Sequence, residues 1–190
     1  MSLPRLCGTR LENIPASVPY LPLPPATPGR LRVGLVWAGG ARHANDKLRS
    51  ISLKELVPLL QAAACDFFSL QAGPRAADLA ALPAGISVTD IGSRVRDFAD
   101  TAAVMGQLDL IISADTATLH LAGALARPVW ALLPYAPDWR WLLQREDSPW
   151  YPTMRLFRQP TPGDWQGVLQ RVAAELAKLV AGSSGNPYAK

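Results

Sequence analysis

The stretch that decides the fold is Asp109-Leu-Ile-Ile-Ser-Ala-Asp-Thr-Ala-Thr-Leu-His-Leu-Ala-Gly-Ala124. An apolar run at 109–113 predicts a strand, and it leads directly into a predicted helix at 116–126. A matching pair lies upstream, where 31–37 predicts a buried strand and Ser52-Leu-Lys-Glu55 forms a capping box that opens a helix. Strands that alternate with helices indicate parallel pairing, since parallel strands need crossover connections.

The same alternation continues through most of the chain. Further strands are predicted at 66–71, 86–91 and 128–133, with a candidate sixth strand at 154–158. Further helices are predicted at 75–82, 97–108 and 164–180. We therefore predict an α/β fold, an open doubly wound parallel Rossmann-like sheet of strand order 3-2-1-4-5, formed by residues 31–181.

The two ends of the sequence differ in composition from this domain. Residues 1–30 hold seven of the 18 prolines and are expected to form an arm or interdomain linker. Residues 182–190 are small and polar, which predicts a flexible tail. The chain has no apolar run typical of a signal peptide or a transmembrane segment, so we expect a cytoplasmic protein.

The formal net charge of +4 is concentrated in one short stretch. Residues 30–50 contain five basic residues and one acidic residue, and the rest of the chain holds equal numbers of each sign. Nucleic-acid-binding proteins usually spread Lys and Arg over a whole face, so this distribution argues against nucleic acid as a partner. Arginine outnumbers lysine 15 to 4, which favours forked contacts to individual oxyanions.

Several classes of site are excluded by missing motifs. Cys7 and Cys65 have no zinc spacing, and no other cluster suggests a metal. No G-x-G-x-x-G, P-loop lysine motif or G-x-S-x-G elbow is present, which argues against NAD-dependent, ATPase and hydrolase functions. We expect no metal and no bound cofactor.

The strand order predicts where a ligand binds. In an open α/β sheet this is beyond the carboxyl ends of the strands where the order reverses, here between strands one and four. The loops at that point are 38–50 and 114–118. Helix amides near Thr116, Ala117 and Thr118 would lack internal partners and could bind a phosphate.

Each candidate in these loops also has an ordinary structural explanation. Asp115 would either cap the helix or bind a sugar hydroxyl, because its charge would repel a diphosphate. His120 would either face the ligand or be a buried histidine with its own partners. Gly39 and Gly40 would permit close backbone approach, and Arg49 is the basic residue placed nearest the predicted crevice.

An aromatic-rich stretch, 134–152, follows the fifth strand. Together with residue 165 it adds most of the six tryptophans. Such density suggests a pocket wall or an interface for self-association. The alternative is a hydrophobic cluster that covers a sheet edge.

These motifs, in this order, resemble the carboxyl-terminal half of bacterial tetratricopeptide-repeat glycosyltransferases, which are related to the heptosyltransferases of glycosyltransferase family nine. The motifs that carry the resemblance are Gly34-Leu-Val-Trp-Ala-Gly-Gly40, His43-Ala-Asn-Asp-Lys-Leu-Arg-Ser-Ile51, Asp97-Phe-Ala-Asp-Thr101, Asp115-Thr-Ala-Thr-Leu-His-Leu-Ala-Gly-Ala124, Pro137-Asp-Trp-Arg-Trp-Leu-Leu143 and Arg145-Glu-Asp-Ser-Pro-Trp-Tyr-Pro152. The resemblance implies one half of a GT-B enzyme, the half that binds a nucleotide-sugar donor.

The resemblance also implies roles for particular residues. Arg49 matches the family's basic residue at the donor diphosphate. The motif lining the diphosphate and sugar is matched by Asp115, Thr116, Ala117, Thr118 and His120, although the family usually has glycine at position 117. A looser match gives the donor-loop candidates Gly39, Gly40, Asn45, Gln71 and Asp97.

The acceptor-activating base of the family lies in an amino-terminal domain that has no counterpart here. The segment Gly8-Thr-Arg-Leu-Glu-Asn-Ile-Pro15 resembles the connection between the two halves. The resemblance therefore implies a donor-binding half, inactive without its acceptor domain. The alternative that we keep open is a non-catalytic module for nucleotide binding or protein interaction.

Overall fold

The computed structural model describes residues 8, 10, 30–40, 44–62 and 64–182. Most of the predicted arm and residues 183–190 of the predicted tail lie outside the described residues. The strands are β1 Arg32–Val36, β2 Asp66–Ser69, β3 Thr89–Asp90, β4 Leu110–Ala114, β5 Val129–Leu133 and β6 Met154–Arg158. The α-helices are α1 Asp46–Arg49, α2 Leu53–Ala62, α3 Phe98–Met105, α4 Ala117–Ala124 and α5 Trp165–Gly182. Two 3₁₀ helices span Pro74–Ala81 and Trp139–Trp141.

The six strands form one parallel sheet of order β3-β2-β1-β4-β5-β6. This confirms the predicted fold class and places the candidate sixth strand at the sheet edge. Helices α2 and α5 share a buried apolar cluster on one face of the sheet. Helices α3 and α4 pack against a second cluster on the other face. The sheet is therefore covered on both faces, as a parallel sheet requires.

Alternating side chains of β1 explain why both faces are apolar. Val33 and Leu35 belong to the cluster beneath α2 and α5, whereas Val36 belongs to the opposite cluster. Successive strand residues point to opposite faces, so a strand buried on both sides needs apolar residues at nearly every position. The predicted first strand, β1, is therefore buried on both faces, and it lies between β2 and β4 in the middle of the sheet.

Helix α2 begins with half of the predicted capping box. The carboxylate of Glu55 accepts a hydrogen bond from the Ser52 amide at 2.9 Å, as the motif predicts. The hydroxyl of Ser52 accepts from the Lys54 amide at 3.3 Å, whereas the Glu55 amide donates to the Ser52 carbonyl. The cap therefore satisfies the first amides with a slightly different pairing from that expected.

The third strand is much shorter than predicted. Only Thr89 and Asp90 pair with β2, opposite Phe68 and Ser69. Asp66 and Phe67, the first two residues of β2, pair with β1 but with no residue of β3, so the ladder between β2 and β3 has only two positions. Other boundaries also shift: the predicted helix 75–82 is a 3₁₀ helix, and the short α1 within loop 38–50 was not predicted.

Candidate functional site

A cleft of about 360 Å³ lies where the strand order reverses. Val36 at the end of β1 is in register with Ser113 near the end of β4, which brings the two predicted loops side by side. Of the predicted residues, those lining the cleft are Asn45, Arg49, Asp115, Thr116, Ala117 and His120. The loop after β5 supplies the opposite wall, including Pro137 and Arg140.

The amino terminus of α4 opens into this cleft. Thr116 is its N-cap residue, with extended backbone angles and no side-chain cap hydrogen bond. This corrects the alternative in which Asp115 caps the helix. Ala117 and Thr118 are in the first turn, where amides have no intrahelical acceptor. The helix start therefore presents amides and partial positive charge at the cleft.

Arg49 lines the cleft, and its guanidinium contacts Asp115 and Asp46. Its Nη1 donates to the backbone carbonyl of Asp115 at 2.9 Å, and its Nε lies 3.8 Å from the Asp46 carboxylate. Among the described residues Nε has no hydrogen-bond partner, but this atom is buried and not open to a ligand. A guanidinium that is positioned in advance in a cleft wall is suited to binding an oxyanion through its remaining donors.

Gly39 provides the space that Arg49 occupies. A Cβ at Gly39 would lie 2.6 Å from Arg49 Nη2 and 2.6 Å from the Asp46 carboxylate. A Cβ at Gly40 would meet no described atom within 4 Å. The Gly39 amide donates to Ser50 Oγ at 3.1 Å, and that hydroxyl donates to Asp46 at 3.0 Å. A side chain at position 39 would therefore displace the ends of the Arg49 and Asp46 side chains from these positions.

Asp115 is bound to the aromatic wall. The Nε1 of Trp141, a residue with no solvent exposure, donates to Asp115 Oδ2 at 3.0 Å. The other carboxylate oxygen lies 3.8 Å from His120 Nε2. The carboxylate is thus oriented by a tryptophan and an imidazole while it lines the cleft.

His120 is enclosed by aromatic rings. Its ring stacks on Trp141 with centroids 5.3 Å apart and planes 15° from parallel. Its Nδ1 lies 3.1 Å from the Tyr151 hydroxyl. Burial lowers the pKa of His120 below its usual 6.5, and the Asp115 charge opposes that shift only in part. The imidazole is therefore neutral at pH 7.

The formal charges of the described cleft residues nearly balance. Arg140 forms an ion pair with Asp138 at 2.6 Å, and Arg49 lies between Asp46 and Asp115. An anion bound at this cleft would therefore have to be recognised by directed donors and not by a broadly basic surface.

Of the donor-loop candidates, only Asn45 lines the cleft, whereas Gly39, Gly40, Gln71 and Asp97 do not, and neither does Thr118. Gln71 is buried, and its amide oxygen accepts from the backbone amides of Trp37 and Ala38 at 3.1 and 2.9 Å. Its amide nitrogen donates to two backbone carbonyls. Asp97 is the N-cap of α3 and accepts from the Asp100 amide at 2.9 Å. Both side chains are engaged in holding the backbone.

The aromatic residues of the second half of the chain contribute both to the core and to contacts with residues of the cleft. Trp130, Trp141 and Trp165 are buried, in agreement with a hydrophobic cluster at the sheet. Trp141 and Tyr151 also contact the predicted site residues, which the sequence suggested only as a pocket wall. Trp139 is 56% exposed and Leu143 77% exposed.

No group of three or more potential metal-ligating side chains occurs in the part of the chain that the structure describes. Burial raises the pKa of the Cys65 thiol to about 11. This thiol is therefore protonated at neutral pH and a poor ligand or nucleophile. Among the described helices, none has the length and apolar character that a membrane crossing needs.

Comparison with known proteins identifies similar chains. No family model matches. Protein FlbA of Caulobacter vibrioides is 31% identical over 161 residues, which is 79% of this chain and 26% of FlbA. The chain thus spans about a quarter of the length of this curated relative.

The fold is similar to solved glycosyltransferase structures. E. coli ADP-heptose LPS heptosyltransferase II matches with a TM-score of 0.56 at 18% identity, over 82% of this chain and 48% of that one. E. coli heptosyltransferase WaaC with ADP matches with a TM-score of 0.57 at 16% identity, over 79% and 44%. The fold is therefore that of slightly less than half of a heptosyltransferase chain.

Proposed function

We propose that this chain is the donor-binding half of a GT-B glycosyltransferase that transfers a sugar from a nucleoside diphosphate to an acceptor. The observation that carries the proposal is the convergence of Arg49 and the α4 amino terminus on one cleft at the strand-order reversal. The similarity in fold to heptosyltransferases, one of them determined with ADP, supports a nucleoside diphosphate as the ligand.

The diphosphate would lie between Arg49 and the first amides of α4. Transfer breaks the bond between the sugar and the terminal phosphate oxygen, and negative charge develops on that oxygen. Donors fixed in place before the reaction stabilise such charge most effectively. Arg49, whose orientation is fixed by the Asp115 carbonyl, would supply positive charge at this oxygen, and we propose that no metal ion takes part.

The sugar would lie toward Asp115 and His120. A carboxylate repels a diphosphate but accepts hydrogen bonds from sugar hydroxyls. Asp115 lines the cleft with one oxygen bound by Trp141, so its orientation is fixed. The base that deprotonates the acceptor would come from an acceptor domain outside this sequence, and the full protein would carry tetratricopeptide repeats.

The proposal is tested by calorimetric titration with ADP, UDP and GDP, each with and without EDTA. At least one nucleotide should bind, and EDTA should leave the affinity unchanged. Arg49→Ala should weaken binding by about 10–100-fold, because a hydrogen bond to a charged group contributes about 1.5–3 kcal/mol.

Arg30→Ala is the matched control, since Arg30 is exposed and pairs with Asp66 at the start of β2, at the opposite end of the strands from the cleft. Equal affinities of the parent protein and Arg49→Ala would remove Arg49 from the site. Absence of binding for all three nucleotides, together with self-association, would instead favour an interaction module. The exposed side chains of Leu48, Trp139 and Leu143 are the observation behind that second candidate.

A further inference from the structure

The imidazole of His120 has a different partner on each nitrogen. Nδ1 lies 3.1 Å from the Tyr151 hydroxyl, and Nε2 lies 3.8 Å from Asp115 Oδ1 at the cleft. Trp141 covers one face of the ring. The ring is therefore held at both edges and on a face, and its protonation pattern follows from what each partner can donate or accept.

Asp115 favours one of the two neutral tautomers without forming a hydrogen bond to the ring, since its Oδ1 lies 3.8 Å from Nε2. An ionised carboxylate only accepts hydrogen bonds, and one of its oxygens already accepts from Trp141 Nε1. A nitrogen lone pair facing the other oxygen would be repelled. The carboxylate thus favours the proton on His120 Nε2, facing the carboxylate and the cleft, and the partner of Nδ1 decides whether this tautomer is held.

The neutral state of the ring then determines the role of Tyr151. The charged groups around His120 act in both directions, since Asp115 and Asp138 raise its pKa and Arg140 lowers it, but burial is the largest effect and lowers the pKa. In a neutral imidazole with Nε2 protonated, Nδ1 can only accept. The Tyr151 hydroxyl must therefore donate to it.

Gly123 makes this contact sterically feasible. A Cβ at Gly123 would lie 2.5 Å from Cγ of the Tyr151 ring, so the ring rests directly on α4. Gly123 follows His120 by three residues, which places both on the same side of the helix. The Tyr151 ring thus packs against α4 next to the imidazole.

We propose that Tyr151 is a positioning residue that holds His120 in the Nε2-protonated tautomer, so that a fixed N–H donor faces the cleft. The ligand of this donor, an oxyanion or hydroxyl of the bound nucleotide sugar, rests on the proposed function. The tautomer itself does not.

The test is nitrogen-15 NMR of histidine-labelled protein at neutral pH without nucleotide. The sequence has two histidines, so a His43→Gln background leaves only the His120 signals. The parent should show Nε2 protonated and Nδ1 unprotonated. Tyr151→Phe keeps the ring but removes the donor, and it should shift the spectrum toward a mixture of tautomers.

Tyr135→Phe is the matched control, since Tyr135 is 51% exposed and its removed hydroxyl is chemically the same. This variant should leave the His120 spectrum unchanged. A parent spectrum with Nδ1 protonated would overturn the proposal, and so would a Tyr151→Phe spectrum identical to that of the parent.

A titration with ADP separates this inference from the proposed function. Because the sugar, which ADP lacks, is proposed to lie toward His120, Tyr151→Phe should leave the affinity for ADP unchanged. A protein that binds none of the nucleotides would contradict the donor-binding function, while its NMR spectrum would still decide the role of Tyr151.

Discussion

Among the described basic residues of the 30–50 stretch, Arg49 is the one that lines the cleft. Arg30 forms an ion pair with Asp66 at 3.2 Å, and Arg32 begins β1 at the opposite end of the strand. Arg42 lies outside the described residues. Basic residues that lie close together in the sequence are therefore far apart in space, because residues at the two ends of a strand lie at opposite ends of the sheet.

Gly39→Ala is expected to weaken nucleotide binding nearly as much as Arg49→Ala. The new Cβ would enter the space of Arg49 Nη2, so the guanidinium would have to leave its position beside the Asp115 carbonyl. Gly40→Ala adds the same methyl group where no described atom lies within 4 Å, and it should retain the parent's affinity. Calorimetry of both variants checks this, and equal affinities would contradict the packing argument.

Helix α4 connects the cleft to the core. Its buried side contains Leu119 and Ala122, whereas its amino terminus and His120 face the cleft. The small residues at its carboxyl end let Tyr151 approach closely. One element therefore positions both the helix-terminal amides and the imidazole, so its packing should affect stability and binding together.

Gly123→Ala is expected to destabilise the protein. Overpacking against the Tyr151 ring costs about 1–3 kcal/mol, which exceeds the gain of up to about 1 kcal/mol from replacing a helical glycine. Gly182→Ala at the end of α5 meets no described atom within 4 Å and should be neutral or slightly stabilising. Urea unfolding curves measure both variants, and a stabilised Gly123→Ala variant would contradict the close approach of Tyr151.

At the scale of the whole molecule, the closing helix is tied to the edge strand by charge. Glu175 on α5 lies 2.7 Å from Arg155 on β6 and 2.8 Å from Lys178. Hydrogen bonds from these two cations lower the pKa of Glu175 from 4.5 to about 2. A carboxyl with a lowered folded-state pKa stabilises the fold above the unfolded pKa, and this contribution disappears as pH falls toward 2.

Glu175→Gln should therefore lower the free energy of unfolding at pH 7 by no more than about 1 kcal/mol, as expected for a partly exposed pair. The difference from the parent should shrink as the pH falls below 4.5 toward 2. Chemical denaturation at several pH values measures it. A difference that persists unchanged to acid pH would show that the ion pairs are not its cause.

Local patterns predicted most of the architecture. Apolar runs, the capping box and the strand-to-helix transition before α4 depend on neighbouring residues, so they can be read along the chain. The short β3 could not be predicted, because its length depends on pairing with β2, from which it is separated along the chain by a 3₁₀ helix. The role of Gln71 was also hidden, since its partners Trp37 and Ala38 are more than 30 residues away.

The sequence by itself determined the alternation of strands and helices, the loops at the reversal point and the candidates Arg49, Asp115 and His120. Only the tertiary structure decided what those candidates contact. Trp141 reaches Asp115 across 26 residues and Tyr151 reaches His120 across 31. Strand order and packing bring such residues together, and periodicity within a segment carries no information about contacts between distant segments.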